Sequence, residues 1–211
     1  MASEKMVTAR PPALTEAAEM VLLELWRARE LRQGLNGNGA PGNRPLPESG
    51  PVAAGGPGAW RELFDGKLVG GSPAEGQMTT TGAILASTLI RRRRLAELLL
   101  HHALEVPLAQ ATGSACRLEH ILSAEVADRI CAFLGHPSHC PHGLPIPPGA
   151  CCGQPDAALR PLVQRLADLP PGSRARVLYL SMPNESLVHR LASMGLYPGG
   201  DLEVRQASPA V

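Results

Sequence analysis

The chain has 211 residues, 44% of them apolar, with 20 Lys/Arg against 19 Asp/Glu. That supports at least one real core, in one large domain or two to three small ones. No apolar run approaches the ~20 residues needed to span a bilayer, and the first 20 residues mix acids with bases and lack a secretory h-region, so a cytoplasmic protein without membrane association is expected.

From Leu14 to Glu30 the chain places Leu14, Ala17, Ala18, Val21, Leu22, Leu25 and Trp26 on one helical stripe, with Thr15 or an upstream residue to cap it. Residues 34–59 hold 13 glycines and prolines in 26 positions, which predicts a loop or flexible insert. "WRELFDGKLV" reads as one or two helical turns closed by Asp65-Gly66, and "LVGGSPAEGQMTTT" as a weak hairpin. Thr80 or Thr81 can cap a long helix whose Ile84, Leu85, Leu89, Leu95, Leu98, Leu99 and Leu104 keep a helical period and which should end before Pro107. A further helix carries "SACRLEHIL". Ser123 can cap the next, with Val126, Ile130, Phe133 and Leu134 facing inward. After the proline-rich connector "HPSHCPHGLPIPPGACC", short apolar runs such as "ARVLYL" and "DLEVR" alternate with turn signals from Leu159 onward, as in a small β-rich barrel.

Five cysteines, two of them adjacent, are an odd count in a chain large enough to fold without staples, so free thiols are expected rather than a disulfide framework. In "CRLEH", residues 116–120, Cys116, Glu119 and His120 stand at i, i+3 and i+4 and share one helical face. On spacing alone a buried thiol beside a solvated acid and a partly buried histidine is the better reading than a metal site. "HCPHG" with "CC" offers Cys140, His142, Cys151 and Cys152, a Cys3His inventory that could bind zinc or an iron-sulfur cluster, although its ten-residue gap is not a standard knuckle. The "RRRR" run at 91–94 covers every helical face and is better read as solvated or paired with acids than as a phosphate grip. There is no nucleophile elbow, phosphate-binding Gly loop or HExxH, so no enzyme is expected.

"TTTGAILASTLIRRRRLAELLL" followed by "ACRLEHILSAEVADRICAFLGHPSHCPHGLPIP" resembles the dimerisation and metal-binding domain of the diphtheria-toxin-repressor family, iron- or manganese-dependent bacterial transcriptional regulators. "LADLPPGSRARVLYLSMPNESLVHRLASMGLYPGGDLEV" resembles the SH3-like domain shared with ferrous-iron-transport A-type (FeoA-like) proteins. The resemblance implies a mainly α protein with a small β part. Its expected parts are a degenerate winged helix-turn-helix (10–80, with the Gly/Pro insert 34–59), a helical metal-binding and dimerisation domain (81–146), a linker (147–158) and an incomplete SH3-like β-barrel (159–211).

The family's primary site falls on Met20, Cys116, Glu119 and His120, and this donor set suits Fe(II) first and Mn(II) second. Of its ancillary site only Glu97 survives, as a residual ligand: Arg93 and Thr112 stand where histidines are expected, and arginine would repel a metal. A homodimer on double-stranded DNA is implied. Residues 1–82 nevertheless carry 8 Lys/Arg against 9 Asp/Glu, and Arg44, Arg61 and Lys67 are the few candidate phosphate contacts near the degenerate segment. A dimeric metal sensor or adaptor that no longer reads DNA is the alternative.

Overall fold

The computed structural model describes residues 14–35, 55–71, 76–153, 163–181 and 185–206. Helix α1 (Glu16–Arg32) starts at Thr15, whose hydroxyl accepts from Ala18 N. The same residue is held by the Glu62 carboxylate, which accepts from Thr15 N at 2.9 Å and Thr15 Oγ1 at 2.6 Å. Glu62 lies on α2 (Gly56–Asp65), so one acid ties the second helix to the start of the first. Helix α2 begins further upstream than the glycines and prolines suggest. Left-handed Gly55 (φ 85°) forms the turn into it, and Pro57 sits in the first turn, where no N–H is needed. Ala59, Trp60 and Leu63 pack from α2 onto Ala18, Val21, Leu22 and Leu25 of α1. A two-strand hairpin follows, β1 (Val69–Gly70) against β2 (Gln77–Met78).

Helix α3 (Thr80–Leu98) is capped by Thr79, one residue before the expected pair. Its hydroxyl accepts from Gly82 N and donates to Lys67 O and Leu68 O, fixing the helix on the end of the hairpin. A Cβ at Gly82 would collide with the Leu68 carbonyl oxygen. The helix then loosens into a π turn, Leu99–Ala103, closed by Leu104 N to Leu99 O and Val106 N to Leu100 O. Helix α4 (Leu108–Ile121) and α5 (Ala124–Phe133, capped by Ser123) both pack on α3. A second core joins Leu95 and Leu98 of α3 to Ala127, Cys131 and Leu134.

Two inward assignments are corrected: Val126 and Phe133, seven residues apart on one stripe of α5, are turned outward while Ala127 and Cys131 fill the core; on α3, Ile84 is 63% exposed. Of the expected inward set Leu134 is fully buried and Ile130 packs against the core, so only part of the stripe is misassigned.

After the short α6 (Ala150–Gly153), the chain adds a 3-10 turn (Leu166–Asp168), β3 (Arg174–Arg176), α7 (Glu185–Ser193) and β4 (Asp201–Glu203). Strands β3 and β4 pair antiparallel, Arg174 opposite Glu203. Among the described residues there is no closed barrel: this two-stranded ladder stands where the SH3-like barrel is expected, and Val204 is its buried apolar residue. Tyr179 docks this part on the helices, its hydroxyl donating to Leu134 O at 2.5 Å. No helix among the described residues is long and apolar enough to cross a membrane.

Candidate metal centre

The arginine run explains how α3 holds its neighbours. Arg94, 2% exposed, forms a buried ion pair with Glu30 of α1 at 2.6 and 2.8 Å and donates to Pro145 O at 2.5 Å. Arg91 reaches Asp128 of α5 and Pro147 O, both at 2.9 Å. Arg93 lies between acids, 3.6 Å from Glu97 and 3.7 Å from Glu119. Arg91, Arg93 and Arg94 are thus rooted in carboxylates and carbonyls, while Arg92 Nε is buried without a hydrogen bond.

Helix α4 carries Cys116, Glu119 and His120 on the face turned toward α1 and α3. Glu119 is fully buried, and neither of its oxygens accepts a hydrogen bond. Burial pushes its carboxyl up to about 7, although Arg93 and His120 pull it down. Burial likewise pushes the Cys116 thiol up. On the other side His120 Nδ1 meets Glu19 Oε2 of α1 at 2.5 Å, which leaves a buried and unpartnered Nε2, 3.4 Å from Glu119 Oε1. A histidine whose Nδ1 is held by a carboxylate presents Nε2 as the ligating nitrogen. An unsatisfied buried carboxylate beside that nitrogen is what a divalent cation would relieve, so the residues fit such an ion.

The expected fourth member, Met20, neighbours Glu19 and is half-buried against Leu23, Leu89 and Ile90. The Cys116, Glu119 and His120 donors are not themselves gathered within 4.8 Å. The Arg93 guanidinium lies beside two of them, 3.9 Å from Cys116 Sγ and 3.7 Å from Glu119. Glu19 was not legible as a site residue, since an acid in a first helical turn ordinarily reads as a partner of the helix dipole.

Two donor clusters do form within 4.8 Å among the described residues, and they redistribute the Cys3His set expected from sequence. Cys140 and His142 join Glu97, all three buried, with His142 Nδ1 3.4 Å from Glu97 Oε2. The Glu97 carboxylate and the Cys140 side chain hold the imidazole up at about 9 despite its burial. Cys151 and Cys152 instead meet Cys131 and His136. The loop at 136–149 separates the two halves. Thr112, at the family's histidine position, has a buried hydroxyl without a partner. Arg93→His with Thr112→His should therefore create extra Co(II) uptake beside Glu97, counted by equilibrium dialysis; uptake equal to that of the unchanged chain would remove Arg93 as the blocking charge. Of the DNA candidates, Arg44 lies outside the described residues, while Arg61 on α2 and Lys67 before β1 are both exposed.

Fold and site define a helical protein in which α1 and α4 meet at the Glu19–His120 contact, beside the buried Glu119 carboxylate. Residues 79–148 match the family model "Iron dependent repressor, metal binding and dimerisation domain", and residues 164–210 match the FeoA domain. Over these residues the chain is similar to the diphtheria-toxin-repressor family. It is 34% identical over 141 residues to the iron-dependent repressor IdeR of Mycobacterium leprae, covering 64% of this chain and 61% of that protein. To the diphtheria toxin repressor of Corynebacterium diphtheriae it is 34% identical over 134 residues, 64% of this chain and 58% of that one. The chain thus spans about three fifths of the length of these relatives. The manganese regulator SloR shares the fold, with a TM-score of 0.50 at 23% identity over 93% of this chain and 86% of that one.

Proposed function

We propose that the chain is a metal-dependent transcriptional regulator, with Met20, Cys116, Glu119 and His120 holding a divalent ion, Fe(II) first and Mn(II) second. The observation that carries this reading is the fully buried Glu119 carboxylate, which accepts no hydrogen bond and has the Arg93 guanidinium at 3.7 Å as an ion-pair partner, beside a histidine oriented from α1 by Glu19. An ion bound there supplies positive charge between α4 and α1. Met20 and Glu19 lie on the N-terminal helix and the other ligands on α4, so any arrangement in which both reach the site is favoured over those in which they do not. Glu97 is the candidate residual ligand of a second site, and Cys140 and His142 are the donors that lie within 4.8 Å of it. The outward-facing Val126 and Phe133, with Ile121 at 78% exposure, supply apolar area for a homodimer.

Metal would then select the dimer whose two N-terminal parts match a pseudo-palindromic DNA site. The test is fluorescence anisotropy of the reduced chain on its own upstream DNA, with and without Fe(II). Metal-dependent binding with a shallow salt slope is expected, because Arg61 and Lys67 are few and share their surface with Asp65. Arg61→Ala should weaken it. The sensor or adaptor reading has one observation in its favour: the helix before the hairpin turns out Arg61 alongside two acids, Glu62 and Asp65. If the metal-loaded dimer ignores DNA even at low salt, that reading replaces the first.

A further inference from the structure

The geometry points to a structural zinc site of the Cys3His type formed by Cys131, His136, Cys151 and Cys152, separate from the ion of the proposed function and not dependent on it. Cys131 Sγ lies 3.8 Å from Cys152 Sγ and 3.6 Å from His136 Nδ1, and Cys151 Sγ lies 3.9 Å from Cys152 Sγ. A tetrahedral ion with Zn–S near 2.3 Å and Zn–N near 2.0–2.1 Å places its sulfurs about 3.8 Å apart and a sulfur and nitrogen about 3.6 Å apart. These three separations match the edges of such a tetrahedron, and all four donor atoms lie within 4.8 Å of one another. An iron-sulfur cluster would need them spread around a several-atom core.

The chain bends to bring them together. Helix α5 ends with Gly135 (φ 73°) and His136 (φ 55°) both left-handed, and His136 N bonds back to Cys131 O. This returns the imidazole over a cysteine five residues earlier. A left-handed backbone is unfavourable for a histidine, a cost that a ligand role would offset. Cys151 and Cys152 arrive on α6, closed by Cys152 N to Gly149 O.

A second observation also points to thiolates. Arg91, 5% exposed, directs Nη2 at both Cys151 Sγ (3.1 Å) and Asp128 Oδ1 (2.9 Å), while Nη1 donates to Pro147 O. A permanently charged guanidinium aimed at sulfur suits an anionic acceptor, and three thiolates on a divalent ion leave one negative charge for it to balance. Gly149 permits this approach, since a Cβ there would meet Arg91 Nε and Nη2 at 2.6 Å. Burial pushes the Cys131 and Cys151 thiols up, so zinc would enter by displacing protons. The site would clasp α6 to the end of α5 and set where the linker to the FeoA domain begins.

The test starts from the reduced full chain carrying Cys116→Ala, stripped with chelator and resupplied with Zn(II). It should retain one zinc per chain against a colorimetric competitor, and that zinc should shield Cys131, Cys151 and Cys152 from alkylation. Adding Cys152→Ala or His136→Gln, both at exposed positions, should weaken retention by about two orders of magnitude or more with helicity by circular dichroism unchanged. Adding Cys140→Ala should leave it intact. Zinc held equally well after Cys152→Ala and after His136→Gln, zinc lost with Cys140→Ala instead, or a disulfide among Cys131, Cys151 and Cys152 that persists in reductant with zinc present would each overturn the assignment.

Discussion

Cys116→Ala and His120→Ala are each expected to reduce Co(II) or Fe(II) affinity at the α4 site on the order of a thousandfold, since even outer-shell changes cost about 10–100-fold. The measurement is competitive titration in a Cys152→Ala background, in which the thiolate absorption lost on further removal of Cys116 reports the α4 site. Met20→Ala should cost less, because a thioether is neutral and a weaker ligand, yet it should uncouple the N-terminal part from the metal. The pH dependence has a definite sign. Glu119 is held at about 7, so below that pH an ion must displace its proton, and the raised Cys116 thiol adds a second. Affinity should rise steeply up to about pH 7 and less steeply above, as Glu119 ceases to contribute. Without metal the same carboxyl works the other way on folding: its pKa lies above the ordinary 4.5, so its contribution is full below that value and is lost as pH rises through about 7. Affinity that ignores Cys116, or that is flat across this range, would contradict the assignment.

The largest effect on stability is expected from Arg94→Ala. It would leave the Glu30 carboxylate buried without its cation and Pro145 O without its donor, at a cost of about 3–5 kcal/mol. At about 2–4 °C per kcal/mol for a chain of this size, the Tm should fall by roughly 10 °C. The double variant Arg94→Met with Glu30→Met should recover much of that, because an apolar pair removes both charges. Recovery should stop short of full, since Trp26 Nε1 also donates to Glu30, at 2.8 Å, and would lose its acceptor. A single variant that melts within a degree of the parent chain would show that the pair is not what joins α1 to α3.

Helix α1 and its Thr15 cap could be read from periodicity because the stripe is long and the capping residue stands at its edge. Thr79 rather than Thr80 caps α3, a one-residue shift decided by the hairpin carbonyls it also bonds. Local pattern carries no information on those partners. Cys116, Glu119 and His120 were legible because an i, i+3, i+4 set is a local property of one helix. The zinc-type cluster was half legible. Cys151 and Cys152 were recognised as donors, but their partners depend on how a left-handed turn and a proline-rich loop close in space, so Cys140 and His142 were grouped with them in place of Cys131 and His136. Val126 and Phe133 misled for a related reason: apolar residues on a helical stripe do not reveal whether the surface that covers them lies in the same chain.

The π turn at Leu99–Ala103 makes α3 unequally tolerant of shortening. A π turn is a helix with one surplus residue, so deleting any single residue between 99 and 103 should restore ordinary i to i−4 bonding there and leave the frame of residues 80–98 undisturbed. Deleting one residue at 86–90 would instead rotate every later position by about 100° relative to α1, carrying Arg94 away from Glu30 and Arg91 away from Asp128. In a single-codon deletion scan of this helix, the survivors should cluster in its last turn.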